Sequence, residues 1–259
     1  MSKSGNIGMA IHQALGFHCL MMRIPKTDAI FWPGCALMNL DPEILEKTLS
    51  VLRRAEPEMG LATGCCGQPT VYLFPEKTEK RQQKLRNLLK KQGVKRIYTA
   101  CPNCTLQLRE LGDFEVISIW PVLAEHLQKS DVEKPYGSFI WHDPCPTRND
   151  PAQQAGARKL LEISGCDYAE PEHTGAKTQC CGNFHMMRSL DPKKSARMRG
   201  HRLKELGEER IILSNCEGCL DAFRSEGRET CHLLELLFGK SKIRSWSNRI
   251  KITKKAPSI

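Results

Sequence analysis

The sequence predicts an α/β protein made of two similar halves, each a small, mostly parallel sheet flanked by helices. Three observations carry this prediction. Short apolar runs that read as buried strands alternate with longer stretches of helical periodicity, the order expected of parallel sheets. The order then repeats after about 110–115 residues, far above the period of a solenoid. One arrangement of cysteines occurs once in each repeat.

The 259 residues suffice for two domains. Residues 1–28 form an N-terminal extension without a fold signal. Ala29-Ile30-Phe31-Trp32 reads as a buried strand ending at Pro33-Gly34-Cys35. Asp41-Pro42 opens a helix, with Asp41 placed to cap it, and Ile44, Leu45, Leu49 and Leu52 recur at helical spacing. A loop over 60–70 carries Cys65 and Cys66. A basic helix over 75–92 stops at Gly93. Strand Arg96-Ile97-Tyr98-Thr99 delivers Cys101-Pro102-Asn103-Cys104, and a strand over 115–119 and a helix over 120–129 close the first half. The polar stretch 130–137 is a linker between halves at 29–130 and 138–239.

The second half repeats this order. Strand 138–141 leads to Cys145, a helix covers 151–164, and a loop over 170–183 holds Cys180 and Cys181. A helix follows from Asp191-Pro192 to about Leu206. Strand 209–214 delivers Cys216-Glu217-Gly218-Cys219, and a helix covers 230–238. Lys95 to Cys101 aligns without a gap on Arg210 to Cys216. Ile30-Phe31-Trp32 aligns on Phe139-Ile140-Trp141 if one residue is inserted before Cys145. The tail, 240–259, is basic and lacks acidic residues, which predicts a flexible, solvated end, with a docking strip for an acidic partner or a membrane surface as the alternative.

Ten of the thirteen cysteines fall into the repeated arrangement. The first set reads C-x29-CC-x34-C-x-x-C through Cys35, Cys65, Cys66, Cys101 and Cys104. The second reads C-x34-CC-x34-C-x-x-C through Cys145, Cys180, Cys181, Cys216 and Cys219. Thiolates are soft ligands that select zinc, copper(I) or iron–sulfur clusters. Zinc takes four ligands, usually as two short pairs. Two adjacent cysteines do not readily chelate one small ion, but they can reach two atoms of a larger centre. Five thiolates from three loops therefore suit a polynuclear site better than a lone zinc. Zinc in both halves, or one cluster and one zinc, remain the competing readings. Cys19, Cys166 and Cys231 fit neither set and read as incidental thiols. His142, His173, His185 and His232 invite a ligand role, although a satisfied or surface histidine is the commoner case. His185 follows Cys181 by four residues where the first half has Thr70, and that asymmetry marks it as a candidate proton donor.

The formal charge of +10 would suggest nucleic acid, but ten metal-bound thiolates cancel it, and no RNA-recognition motif or C2H2 spacing is present. No apolar run approaches a membrane span. The apolar patch 7–22 is interrupted by His12, Gln13 and His18 and lacks a cleavage site. Thirteen cysteines without a secretory signal predict a reducing, cytoplasmic location, with membrane contact only through partners. There is no ferredoxin cysteine run and no dinucleotide fingerprint, so electrons must arrive from another protein.

With these motifs, the chain resembles the CCG (cysteine-rich) domain family over about residues 29–239, best known from the catalytic B subunit of heterodisulfide reductase. Related domains occur in the C subunit of anaerobic glycerol-3-phosphate dehydrogenase and in lactate- and glycolate-oxidising iron–sulfur subunits. The resemblance implies two pseudo-symmetric CCG-type halves that face each other. It further implies two noncubane [4Fe–4S] clusters, the first on Cys35, Cys65, Cys66, Cys101 and Cys104, the second on Cys145, Cys180, Cys181, Cys216 and Cys219. Some relatives keep zinc in one half. A substrate disulfide would be split between the clusters, with a ferredoxin-like iron–sulfur subunit and a flavoprotein as electron source. Two departures bear on the substrate. The spacing before Cys65 is short, and Asn183-Phe184-His185-Met186-Met187 replaces the glycine run of many second motifs. The expected function is therefore disulfide reduction within a complex. An electron-transfer subunit without its own substrate and a zinc-stabilised interaction module are the competitors.

Overall fold

The structure, a computed structural model, describes residues 3–256. Within them the chain forms two compact units, one running to Ile119 and resuming at Ser241, the other spanning Trp120–Lys240. The first unit contains α1 (Lys3–Gly16), β1 (Ala29–Trp32), α2 (Pro42–Leu52), β2 (Gly60–Leu61), α3 (Gln68–Leu73), α4 (Thr78–Lys91), β3 (Arg96–Thr99), α5 (Pro102–Arg109) and β4 (Glu115–Ser118). Helix α6 (Ile119–His126) leads into the second unit. There follow β5 (Ser138–Trp141), α7 (Pro151–Ser164), β6 (Asp167–Ala169), α8 (Met187–Leu190), α9 (Pro192–Leu206), β7 (Ile211–Ser214), α10 (Glu217–Arg224), β8 (Thr230–His232) and α11 (Leu233–Phe238). Helix α12 (Trp246–Lys255) belongs to the first unit again.

The fold is α/β, with two four-stranded parallel sheets flanked by helices. Their strand orders are β2-β1-β3-β4 and β6-β5-β7-β8, the same topology twice. Strands covered on both faces must be apolar throughout. The central β1 and β5 obey this, with every residue of β1 buried and Phe139, Ile140 and Trp141 buried in β5. Each unit has its own core. One gathers Ile30, Trp32, Leu85, Leu89 and Ile97, the other Ile140, Leu206, Ile212, Leu220 and Phe223.

Strand register corrects the alignment of the two halves. Phe31 pairs with Tyr98 and Trp32 with Thr99, whereas Trp141 pairs with Leu213, the counterpart of Tyr98. Phe31 therefore corresponds to Trp141, and Trp32 to His142. No residue is inserted before Cys145. Matching the two tryptophans by identity misplaces β5 by one position, and pairing across the sheet decides the register.

The prolines at helix starts are accurate guides. Pro42, Pro151 and Pro192 each open a helix at its first turn. Asp150 and Asp191 cap theirs, accepting from Gln153 N–H at 3.1 Å and Lys194 N–H at 2.9 Å. Asp41 does not cap α2. Its carboxylate instead accepts the Lys242 N–H at 2.7 Å and the Asn248 amide at 3.2 Å, holding the returning chain.

That contact explains why the expected flexible tail is a helix. Asn248, Arg249, Ile252 and Thr253 of α12 are buried, leaving its lysines outward. The N-terminal extension likewise forms α1, with Gln13 and Phe17 buried. The expected helix 230–238 is a strand followed by a helix, because Thr230, Cys231 and His232 pair with β7 before His232 caps α11. Among the described residues no helix is long and apolar enough to cross a membrane.

Candidate metal centres

In each unit the cysteines sit on loops at the C-terminal ends of parallel strands, where this architecture gathers ligands. Cys35 follows β1. Cys65 and Cys66 follow β2 and precede α3. Cys101 is the N-cap residue of α5, and Cys104 lies in its first turn. The second unit repeats this, with Cys145 after β5, Cys180 and Cys181 in the loop after β6, Cys216 as N-cap of α10 and Cys219 in its first turn.

All ten are brought together as two groups of five. In the first, thiols neighbour one another in the unbroken order Cys35, Cys65, Cys66, Cys104, Cys101. In the second the order is Cys145, Cys180, Cys181, Cys219, Cys216, with Cys145 and Cys180 Sγ 3.7 Å apart. Gly34 permits the first approach. It has φ +92°, and a Cβ there would lie 2.8 Å from Cys101 Cβ and 3.2 Å from Cys104 Sγ. The glycines after each pair turn a backbone amide onto sulfur, Gly67 N–H to Cys65 at 3.5 Å and Gly182 N–H to Cys180 at 3.3 Å.

Crowding divides the protons unequally. Hydrogen bonds from Cys104 and Cys65 pull the Cys66 thiol down to about 6. The hydrogen bond with Cys65, with burial, pushes Cys35 up. In the second set the hydrogen bond from Cys145 lowers Cys180 and the same contact raises Cys145. Neither set can ionise throughout by itself, because each new thiolate meets another at contact distance. Five soft donors with this mutual repulsion fit a compact centre carrying several positive charges.

The two sets differ in their surroundings. The first is covered by α1 and α12, which the sequence did not connect to the cysteines. Gln13 Nε2 donates to Cys65 Sγ at 3.3 Å, and His12 hydrogen-bonds Cys35. Arg249 donates to the Cys35 carbonyl and lies 4.2 Å over the Trp246 ring. The void left beside Cys35 is about 10 Å³, too small for a ligand.

The second set opens onto a cavity of about 560 Å³. Cys145 and Cys180 lie at one side of it, and Phe184, Met187 and Met198 give it an apolar wall. Arg148, Lys177, His185 and His201 also line it, and no acidic side chain is among the described lining residues. His185 thus stands where a ligand would meet the second set. It and Met186 adopt left-handed backbone, φ 54° and 59°, a conformation that residues with side chains rarely take outside functional sites. Its ring stacks on Phe184 at 3.7 Å. Burial lowers its pKa against the opposing pull of Cys180.

Behind the second set, Asp143 fixes the cysteine loop. Its buried carboxylate accepts from Arg158 Nη2, Thr174 Oγ1 and Gly175 N–H, each at 2.7 Å, and from Trp141 Nε1 at 2.8 Å. Burial would raise this carboxyl, but Arg158 and the other donors hold it at about 2. His142 is fully buried, and its ligand atom lies within 4.8 Å of the sulfurs of Cys181 and Cys219. The sequence points to His142 only as one histidine among several. The other two serve structure: His173 pairs with Glu205 at 3.2 Å, and His232 accepts the Leu234 N–H at 3.1 Å. Cys19, Cys166 and Cys231 lie outside both groups, Cys19 exposed and Cys231 buried.

The family model for the cysteine-rich domain, CCG, matches the chain twice, over residues 29–109 and 139–224. The chain is similar to the B subunit of fumarate reductase (CoM/CoB) from Methanothermobacter marburgensis, with 25% identity over 253 residues, 87% of this chain and 49% of that protein. It therefore spans about half the length of that relative. Among solved structures, the aspartate racemase of Picrophilus torridus aligns with 86% of this chain and 98% of its own, at 16% identity and TM-score 0.34. Allantoin racemase from Klebsiella pneumoniae aligns with 88% of this chain and 87% of its own, at 18% identity and TM-score 0.27. These two scores carry no argument about the site.

Proposed function

The chain belongs to the cysteine-rich CCG domain family, and from that membership we propose that it is the iron–sulfur catalytic subunit of a heterodisulfide-reductase-like complex. Cys35, Cys65, Cys66, Cys101 and Cys104 would hold one noncubane [4Fe–4S] cluster, and Cys145, Cys180, Cys181, Cys216 and Cys219 the other. When bound, such centres supply single electrons, two of which reduce a disulfide or similar thiol-linked acceptor. The observation that carries the proposal is the pair of unbroken five-sulfur groups, one of them beside a cavity. The similarity to a reductase component supports a redox role.

The cavity residues divide the work of binding. Phe184, Met187 and Met198 take the apolar body of the substrate and exclude water. Arg148 and Lys177 attract an anionic substituent. His185 relays a proton from solvent to the departing thiolate, burial lowering the pKa of its ring. Electrons reach the chain from a ferredoxin-like iron–sulfur subunit and a flavoprotein, in the cytoplasm, with any membrane contact made through those partners.

A second reading assigns zinc to one half, where a tetrahedral ion would need only four of the five cysteines. Oxygen-free preparation with metal and sulfide analysis separates the two. The cluster reading expects about eight iron and eight sulfide per chain and a paramagnetic signal when a thiol substrate is added to the oxidised protein. A colourless protein with zinc at both sets would end it, and iron without any response to thiols would leave an electron-transfer subunit.

A further inference from the structure

We infer that each cysteine set receives a hydrogen bond from one buried ring N–H at the end of its central strand, Nε2–H of His142 in the second set and Nε1–H of Trp32 in the first. Neither ring is a metal ligand. The inference rests on the iron–sulfur reading for its electrochemical consequence, but not for the position of the protons.

The argument for His142 starts from Arg202. A guanidinium has donors and no acceptor. Arg202 Nε lies 3.1 Å from His142 Nδ1, so Nδ1 accepts. The single proton of a neutral imidazole must then sit on Nε2. Arg202 is itself fixed, fully buried and donating from Nη1 to Glu205 at 2.7 Å and to the His173 carbonyl at 3.0 Å. The imidazole stands edge-on to Phe223 with ring centroids 5.0 Å apart, which limits rotation. The Arg202 guanidinium, 3.1 Å from Nδ1, disfavours a second positive charge on the ring.

Nε2 has no hydrogen-bond partner in the protein, although the residue has no exposure. Buried N–H groups are almost always satisfied, and an exception points to an absent partner. The groups beside this ring that change on loading are Cys181 and Cys219. Ligation by Nε2 would require both ring nitrogens to be deprotonated at once, because Nδ1 already accepts from Arg202. Donation to a thiolate or sulfide needs no such step.

Trp32 supplies an independent observation. Pairing register makes it the counterpart of His142. Its Nε1 is also buried without a partner, and the residue shares a core with Cys65, Cys66 and Cys104. Indole N–H can donate but cannot ligate. Two unrelated side chains at one position in a duplicated fold have this property in common.

Hydrogen bonds to cluster sulfur favour the reduced form. In the anaerobic holoprotein, His142→Leu should lower the reduction equilibrium of one centre about tenfold, which is about 59 mV for one electron. Trp32→Phe should lower the other. His142→Gln, whose amide replaces the ring N–H, should restore the first shift. Iron content should be unchanged in all three variants, and the wild type should show weak nitrogen hyperfine coupling from labelled histidine. Unchanged potentials in both variants at full iron content would overturn the inference. So would strong nitrogen coupling in the wild type, the signature of a ligand. If the second set contains zinc instead of iron, the proposed function fails while this inference is still tested. A ring ¹⁵N spectrum showing Nε2–H at His142 supports it, and one showing Nδ1–H overturns it.

Discussion

Gly182 and Ser195 approach each other more closely than a side chain would allow. A Cβ on Gly182 would lie 2.3 Å from the Ser195 carbonyl oxygen, and the Ser195 hydroxyl donates to the Gly182 carbonyl at 2.7 Å. The glycine after the cysteine pair is thus the seat of α9 as well as the turn that aims an amide at sulfur.

Gly182→Ala should be among the most damaging single-methyl changes in the second unit. It meets fixed backbone and forces φ +84° on a residue with a side chain, for a cost of about 3 kcal/mol. Gly67→Ala has a comparable φ of +90° but faces the Phe17 ring at 3.3 Å, which can shift, so about 1–2 kcal/mol is expected. Thermal unfolding of the two variants should rank them in that order.

Asp143→Asn leaves Arg158 without its buried partner and should cost about 3–5 kcal/mol at neutral pH. Because folding lowers the Asp143 pKa from 3.8 to about 2, the carboxylate stabilises the fold at pH values above 4. That stability is lost as pH falls from about 4 toward 2, and it amounts to about 2 kcal/mol. Urea unfolding of wild type and variant at pH 7 and pH 3 should show the gap narrowing in acid.

Lys177→Glu should raise KM for anionic thiols or disulfides about tenfold or more, since a hydrogen bond to a charged group is worth about 1.5–3 kcal/mol, and should barely affect neutral ones. Equal effects on both classes would remove charge from the account of the cavity.

His185→Gly removes the ring while relieving the φ of 54°. Stability should hold or rise by up to about 1 kcal/mol, while kcat falls about 100-fold. Retained activity would dismiss the proton-transfer role.

If both sets hold metal as proposed, it should leave them at different rates. The first lies beneath Trp246 and Arg249, with a void of about 10 Å³, whereas the second borders an open cavity. A chelator added to the reduced protein should strip the second set first, and Arg249→Ala should bring the two rates together.

The strands legible in the sequence are the four-residue ones, β1, β3, β4, β5 and β7, which are long enough to show as distinct segments between turns and helices. β2 and β6 escape notice because two or three residues at a sheet edge carry no period. The cysteines can be grouped from spacing alone, since loops at strand ends recur with the repeat. What surrounds them cannot be read. Asp41 has the chemistry of a cap, but it answers to Lys242 and Asn248, about two hundred residues away. Gln13 and Arg249 look like ordinary polar residues on amphipathic helices, and only tertiary packing places them over Cys35 and Cys65. The role of His142 is hidden by an alignment that favours identical tryptophans over strand register.

The lid over Cys35 also sets a timetable for biosynthesis. Trp246 and Arg249 are added to the growing polypeptide after every residue of the second unit, so that unit can close and be filled while its neighbour still lacks a roof. Maturation then has a built-in sequence. If the two sets hold clusters as proposed, a cell starved of iron should accumulate half-charged molecules whose later site is vacant and whose α12 remains open to proteases.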